Sequence, residues 1–272
     1  MKYLFTSPAP ALQPFILRYY QVRGFTSESE PYKEFTLPNG LASLVFHFEE
    51  KIKVSNVEYN GEDIPQFYIF GQYTKPVFVR HTFGKADVFG VVFQPAAFHY
   101  FLGVPQQELT DKLIDVRDGL GREANEVLER MYTRPTFEAR KAIADAFFLK
   151  RLRNTEYFEN VANRAVSEIL SRHGNVQVKD LTEQFNVSRQ HLNRMFLPKV
   201  GLNVKEFART VRFNCALRAL STSKYSELKQ VVEDFGFYDE SHLVKEFDHF
   251  TGGRPSDFLR KENELAKFLM GV

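Results

Sequence analysis

The chain has 272 residues, 43% of them hydrophobic, and 36 Lys and Arg against 34 Asp and Glu give a formal net charge of +2. That length can hold two ordinary domains with cores of their own, and so small a net charge decides nothing about an anionic partner; its distribution does. No stretch reaches the roughly 18 apolar residues of a membrane span, the start "MKYLFTSPAPALQPF" lacks the apolar run of a secretory signal, and the lone Cys215 forms no internal disulfide, so an intracellular, cytoplasmic protein is expected.

Residues 34–95 read as strands. "LASLVFHFE" alternates, with Leu44, Phe46 and Phe48 on one face and Val45 and His47 on the other. "QFYIFGQ", "PVFVRHTFG" and "ADVFGVVFQP" follow, aromatic and β-branched runs with turn residues between them. Short strands at this spacing predict a small sandwich or barrel. After Pro95 the run "AAFHYFLG" changes period and starts a helix. From about residue 120 the pattern is helical. "REANEVLERMY" and "TFEARKAIADAFFLKRL" form a helical pair with Pro135 at a helix start. Leu128, Ile143, Ala146 and Phe147 on this pair serve either as a dimer surface or as packing onto the β-domain. "TEYFENVANRAVSEILSRHG" sets Phe158, Val161, Ala162, Ala165, Val166, Ile169 and Leu170 at steps of three and four, one apolar helix face, with Gly174 as its stop. The expected division is a β-rich domain at 1–132, a helical linker at 133–155 and an all-helical domain at 156–272.

"SRQHLNRMF" at 188–196 and "DESHLVKEF" at 239–247 match at an offset of fifty-one residues. The match pairs Ser188 with Asp239, His191 with His242, Leu192 with Leu243 and Phe196 with Phe247, and extends to Gly201 with Gly252, Phe207 with Phe258, Leu181 with Val232 and Val187 with Tyr238. Each copy reads as a short helix, a tight turn and a second helix. Ser188 and Asp239 are placed to cap the second helices. Leu192 and Phe196 face inward, while Gln190, Asn193 and Arg194 project outward; in the second copy the outward residues are Glu240, Ser241, Val244 and Lys245. A helix-turn-helix lays its second helix in the major groove, where Arg pairs with guanine and Asn or Gln with adenine. A helix over 203–221, about 28 Å long, joins the copies and could set the two second helices into successive grooves. The charge is unevenly shared. Residues 176–220 carry eight Lys and Arg against three Asp and Glu, a net +5, whereas 221–260 carry five against eight, a net −3.

The segments "LTEQFNVSRQHLNRMFLPKVGLNVKEFARTVRFNCALRAL" and "VVEDFGFYDESHLVKEFDHFTGGRPSDFLR" resemble the double helix-turn-helix of the AraC-type transcription regulators over about 100 residues. The resemblance implies base contacts from Gln190, Asn193 and Arg194 in the first unit and from Glu240, Ser241 and Lys245 in the second. It sets Asn203 and Arg254 where helix N-termini approach phosphates, and Ser188, Arg189 and Lys205 are the further candidates for backbone contact. It also implies double-stranded DNA and RNA polymerase as partners and an activator's role. Asp239, Glu240 and Glu246 are expected to make the second recognition face electronegative, leaving most of the affinity to the first unit. Arg254 departs from the small polar residue usual at its position.

"TLPNGLASLVFHF" and "GVVFQPAAFHYFLGVPQQELTDKLIDV" are similar to segments of sensor domains attached to some AraC-type regulators, which implies effector sensing, dimerisation as a homodimer, or both. Fourteen phenylalanines fall in the first 101 residues. They are read either as core or as the lining of a cavity for an apolar or aromatic effector. A domain that is only a protein-interaction platform is the alternative. His191 and His242 belong to the repeat's scaffold, and His47, His81 and His99 are spaced too loosely for a compact zinc signature, so no metal and no cofactor is expected. No nucleophile elbow, P-loop or dinucleotide fingerprint is present, and Cys215 sits mid-helix as a packing residue, so no enzyme is expected. The expected fold class is α+β: an N-terminal β-rich sandwich or barrel with flanking helices, followed by an all-α double helix-turn-helix domain.

Overall fold

The period of two read in the strands sorts the N-terminal half into two cores. The computed structural model of the chain describes residues 2–26, 33–48, 52–55, 65–81, 84–120, 122–152, 160–221 and 228–254. Within them, the first half contains β1 (Lys2–Thr6), β2 (Ile16–Thr26), β3 (Lys33–Thr36), β4 (Ser43–His47), β5 (Ile52–Ser55), β6 (Phe67–Phe70), β7 (Val77–His81), β8 (Gly84–Phe93) and β9 (Leu113–Asp115). A six-stranded antiparallel sheet runs β1-β2-β8-β4-β6-β9, and a three-stranded one runs β3-β7-β5. In the larger sheet Leu44, Phe46, Phe67, Ile69, Phe89, Val91 and Phe93 point to one face, and Tyr20, Val22, Val45, Tyr68, Val88 and Val92 to the other. Tyr20 lies across Gly90, where an added Cβ would come within 2.0 Å of its ring.

Helices cover the phenylalanine face: α1 (Phe98–Leu102), α2 (Val116–Leu120), α3 (Arg122–Tyr132) and α4 (Phe137–Arg151). Phe148 of α4 meets Phe93 and Phe101 edge-on, with ring centroids at 5.5 and 5.0 Å. The stretch 133–155, expected to be a linker, is therefore mostly α4, and α4 is part of the N-terminal core. Of the expected dimer residues, Ile143 and Phe147 are buried in that core and Leu128 packs against it, so the pair covers the sheet of its own chain; Ala146 is exposed. Thr136 caps α4 by accepting the Ala139 N–H, and Pro135, expected at a helix start, immediately precedes that cap.

A buried ion cluster fixes α4 to the sheet. Asp87 on β8 accepts from Arg140 Nη1 at 2.6 Å and Nη2 at 3.1 Å, from Arg23 on β2 at 2.9 and 3.0 Å, and from Gln21 at 3.1 Å. Arg140 is only 1% exposed and lies 3.5 Å from the centre of the Phe48 ring. Burial pushes the Asp87 pKa up, but the two guanidiniums outweigh it and hold the carboxyl below its ordinary value.

The second half is helical: α5 (Val161–Ser171), α6 (Val178–Phe185), α7 (Arg189–Val200), α8 (Val204–Ser221), α9 (Leu228–Phe235) and α10 (Glu240–Thr251). Ala162, Ala165, Val166 and Ile169 of α5 form the expected inward face, whereas Leu170 is exposed and Phe158 lies outside the described residues. One core joins α5, α6, α7 and the first part of α8; another joins the rest of α8 with α9 and α10. Gly174 (φ 77°) lets the turn after α5 press on α8, for a Cβ there would sit 2.3 Å from the Ala208 carbonyl oxygen.

The two halves are docked by polar contacts and by single apolar residues. Gln106 Nε2 donates to the Lys199 carbonyl at 2.6 Å and Thr110 Oγ1 to the Gly201 carbonyl at 2.6 Å, so N-terminal side chains satisfy carbonyls at the end of α7. Asn214 Nδ2 on α8 donates to the Pro38 carbonyl at 2.8 Å. Leu37 enters the second helical core, and Ala96 enters the first with a left-handed φ of 63°.

Arg140→Met, which leaves Asp87 with one buried partner fewer, should cost about 3 kcal/mol in urea unfolding at pH 7. Because folding depresses the Asp87 pKa, its contribution is complete above about pH 4, the unfolded carboxyl's value, and falls as pH drops through the lower folded value. Asp87→Asn should lower stability at pH 7 and flatten that acid-side decline.

Candidate nucleic-acid interface

Each half of the repeat builds its second helix the same way. Ser188 Oγ accepts the His191 N–H at 3.1 Å, and Asp239 Oδ1 accepts the His242 N–H at 2.7 Å. Helices α7 and α10 are both 12 residues long and end on left-handed glycines, Gly201 (φ 87°) and Gly252 (φ 71°), so the offset of fifty-one holds from cap to cap. The first helices are offset by fifty. Helix α6 ends on left-handed Asn186, whereas Gly236 follows α9, and Leu181 corresponds to Val231 where Val232 was expected; both are fully buried. The second turn is thus one residue longer, and it leaves Tyr238 90% exposed beside the start of α10. Phe258, expected to extend the repeat, lies outside the described residues.

The caps decide which side chains face outward. On α7, Arg189, Gln190 and Arg194 are exposed, and an Arg194 amine lies 3.0 Å from His191 Nδ1. On α10, Glu240, Ser241 and Lys245 are exposed. Ser188, Lys205 and Arg254 are exposed as well; the helix expected after Arg254 is outside the described residues. Asn193, expected at a base edge, is half-buried, and its Oδ1 accepts the Val204 N–H at 3.3 Å, tying α7 to α8. Asn203, expected at a phosphate, is engaged in a reciprocal cap: its Oδ1 accepts the Glu206 N–H at 2.9 Å while Glu206 Oε2 accepts the Asn203 N–H at 3.3 Å. "NVKE" carries that box in plain view. Lys205 is left as the exposed cation at the start of α8.

The second unit is less acidic on its outer face than its sequence implies. Asp239 is engaged as the cap, and Glu246 is 6% exposed, turned inward to Arg209 Nε at 2.7 and 2.9 Å. Period explains the correction: Glu246 lies three residues after Leu243 and next to Phe247, on the buried side of α10. His242 stands 3.6 Å from Glu246. The Arg209 guanidinium also lies 5.2 Å from the Phe250 ring centre, and one turn along α8 Arg212 lies 4.9 Å from the Phe237 ring and donates to the Gly236 carbonyl at 3.3 Å. Burial lowers the Arg212 pKa. Two of the positive charges counted for the first unit therefore hold the second unit in place. Glu240 is exposed in the first turn of α10.

The remaining polar groups have local roles. His47 Nε2 lies 3.0 Å from the Tyr68 hydroxyl, and His99 Nδ1 lies 3.4 Å from the Val104 carbonyl; the His81 side chain is outside the described residues. Among the described residues no group of three His, Cys, Asp or Glu could hold a metal ion, and no helix is long and apolar enough to cross a membrane. Cys215 packs between the two helical cores, where burial raises the thiol pKa.

Residues 181–261 match a family described as a helix-turn-helix domain, and residues 5–115 match one described as a domain of unknown function (DUF6597). The chain is 28% identical over 123 residues, 44% of each sequence, to the Msm operon regulatory protein of Streptococcus mutans. It is 26% identical over 95 residues, 34% of this chain and 30% of the other, to the uncharacterized HTH-type transcriptional regulator YfiF of Bacillus subtilis. These matches span less than half of either relative. In fold the chain is similar to ToxT from Vibrio cholerae O395, with a TM-score of 0.50 at 14% identity over 93% of this chain and 99% of that one. ToxT bound to (E)-4-(8-methylnaphthalen-1-yl)but-3-enoic acid gives 0.51 at 13% identity over 89% and 98%. The α+β architecture read from the sequence, a sheet domain with flanking helices before a double helix-turn-helix, is thus the observed one.

Glu246→Gln, which keeps the shape and removes the charge opposite Arg209, should destabilise the seating of α10 by about 1–3 kcal/mol. Hydrogen exchange should register this in α9 and α10, with α5 to α7 unchanged.

Proposed function

We propose that the protein is a sequence-specific DNA-binding transcription regulator whose C-terminal helix-turn-helix domain, matched over residues 181–261, is of the AraC type. It acts as an activator and reads two successive major grooves. The observation that carries this reading is the pair of equally long, equally capped helices α7 and α10, each presenting polar residues from its first turn. Arg189, Gln190 and Arg194 are the first reader's groups, and Glu240, Ser241 and Lys245 the second's; Arg194 pairs with guanine, and Glu240 accepts from a cytosine amino group. Ser188, Lys205, Arg254 and the exposed Tyr238 lie against phosphates, whereas Asn193 and Asn203 act as joints that hold α8. That helix, 18 residues and so about 27 Å long, spaces the readers against a helical turn of about 34 Å. RNA polymerase is the partner activation requires, and the cytoplasm is the compartment. The protein is a binding protein and not an enzyme.

The N-terminal domain, residues 1 to about 152, controls the placement of the readers. An effector of apolar carboxylic acid type is supported by the fold's likeness to ToxT, a protein solved with such an acid. An acid that binds the docked arrangement better than the undocked one would favour it. A domain used only to bind a second copy or another protein is the competing reading.

Selection of random duplexes by the full-length protein should enrich two conserved blocks about one helical turn apart; a single block would sink the two-groove reading. Within the selected site, Arg194→Ala and Lys245→Ala should each cost about 1–3 kcal/mol, the relaxed base lying in a different block for each. Naphthyl- and other aryl-alkenoic acids should add about 2.7 kcal/mol of stability at a hundredfold excess over Kd and so raise the melting temperature; no shift with any of them would favour the competing reading.

A further inference from the structure

The two helix-turn-helix units leave between them a cleft of about 540 Å3, lined by the start of α6, the first half of α8 and one flank of α10. Val176, Val178, Val204 and Ala208 give it apolar walls, while Lys205, Arg209 and Arg212 stand against the single carboxylate of Glu246, a net +2 with His242 neutral. Lys205 is exposed and has no ion pair among the described residues. Arg209 and His242 face Glu246, yet 33% and 35% of their side chains stay accessible. Helix α6 starts at this cleft without a side-chain cap, unlike α5, α7 and α10, so its first amides add to the positive potential of the cations.

Helical phase sets which way the cleft faces. Lys205, Arg209 and Arg212 recur at steps of four and three on one side of α8, whereas Phe207 and Asn214, which meet Gly40 and Pro38 of the N-terminal domain, lie about half a turn away. The docked N-terminal domain therefore leaves the cleft open. Around α10 the order runs from the outward Ser241 and Lys245 to His242 and then to Glu246, so the cleft wall continues the outer face of the second reader. The His242 ring is set to donate. Its Nδ1 accepts the Tyr238 N–H at 3.2 Å, which puts the proton of the neutral ring on Nε2, and Nε2 stands 3.6 Å from Glu246, beyond a hydrogen bond.

We propose that this cleft seats one sugar-phosphate backbone of the duplex where it passes between the two blocks, beside the minor groove that separates successive major grooves. Lys205 and the His242 Nε2–H contact phosphate oxygens, the accessible part of Arg209 adds a further cation, and the valine and alanine side chains lie against deoxyribose. A free inorganic anion would use the charge but not the apolar walls, and a body of about water's size fills only about 30 Å3. The contact reads no base; it fixes the register of both readers on the duplex. The inference rests on the two-groove reading of α7 and α10.

The test uses the full chain, a duplex carrying the selected blocks and a mixed-sequence duplex of equal length. Lys205→Gln should raise Kd about fivefold to tenfold at about 0.1 M salt, by the same factor on both duplexes, and make the dependence of log Kd on log salt shallower by about 1. His242→Asn, whose Oδ1 can still accept the Tyr238 N–H while the Nε2–H is gone, should raise Kd about threefold on both duplexes. Both variants should melt as the wild type does, and ethylation of the phosphates between the blocks should weaken wild-type binding. An unchanged salt slope in Lys205→Gln, losses confined to the selected duplex, or no ethylation effect between the blocks would each overturn the proposal while two-block recognition stood. Displacement of the duplex by millimolar inorganic phosphate at constant ionic strength would make the cleft a site for the free ion, which overturns it as well. A wild-type chain that binds no duplex would remove both readings at once.

Discussion

Helix α8 is packed from more sides than a surface helix can be, and the arrangement of every other part of the C-terminal domain depends on that. Val204, Phe207, Ala208 and Val211 close the first helical core, while Phe213, Ala216 and Leu217 close the second. A third side meets the N-terminal domain: Gly40 packs on Phe207, and Asn214 bonds the Pro38 carbonyl. An amphipathic helix normally offers one apolar stripe. This one offers a different surface to each of three bodies, so no body can shift against it without disturbing the packing of another. The arginines at 209 and 212 add direction to the apolar packing, because Arg209 is held by a carboxylate and an aromatic face and Arg212 by a carbonyl and an aromatic face, which leaves each guanidinium little rotation.

The N-terminal sheet shows the same economy with its two faces. One is dry and phenylalanine-rich, sealed by α3 and α4 and keyed by the Asp87 cluster. The other carries phenols: Tyr20, Tyr68 and Tyr73, each with a pKa raised first by burial. Rings with a polar tip need a hydrogen-bond partner when buried, which makes this face selective about what can lie against it. The loops at its rim are the ones that grip the carbonyl end of α7 and the middle of α8, leaving the capped ends of α7 and α10 outward.

Where the sequence carried a period, it was readable. The alternation of β4, the face of α5 and the two second helices with their caps all appear where residue spacing places them. The strand β2 was not anticipated because Tyr19, Tyr20, Gln21 and Val22 are buried in succession, and a strand covered on both faces loses its alternation. Nor could a period of 3.6 separate linker from core at α4, for the decisive residue there is Arg140, polar by type and buried because Asp87 waits for it fifty-three residues away. The same limit explains the candidate site. Gln190, Arg194, Glu240, Ser241 and Lys245 were legible as outward positions, since outwardness follows from helical phase. That Asn193 turns to the Val204 N–H and Glu246 to Arg209 depends on pairings eleven and thirty-seven residues apart, which local spacing does not encode.

On the proposed two-groove reading, the joining of two readers by one stiff helix sets how tightly a duplex is held. Once the first unit is seated, the second would meet its block at an effective concentration of about 1 mM or more, set by geometry and not by protein supply. Two units each binding with a Kd near about 10 μM would then act together about a hundredfold more tightly than either alone. The gain belongs to one phase of the double helix only. A duplex whose blocks are rotated half a turn out of phase presents the same bases and forfeits it, so the rigidity of α8 turns the distance between two short words of DNA into part of the message.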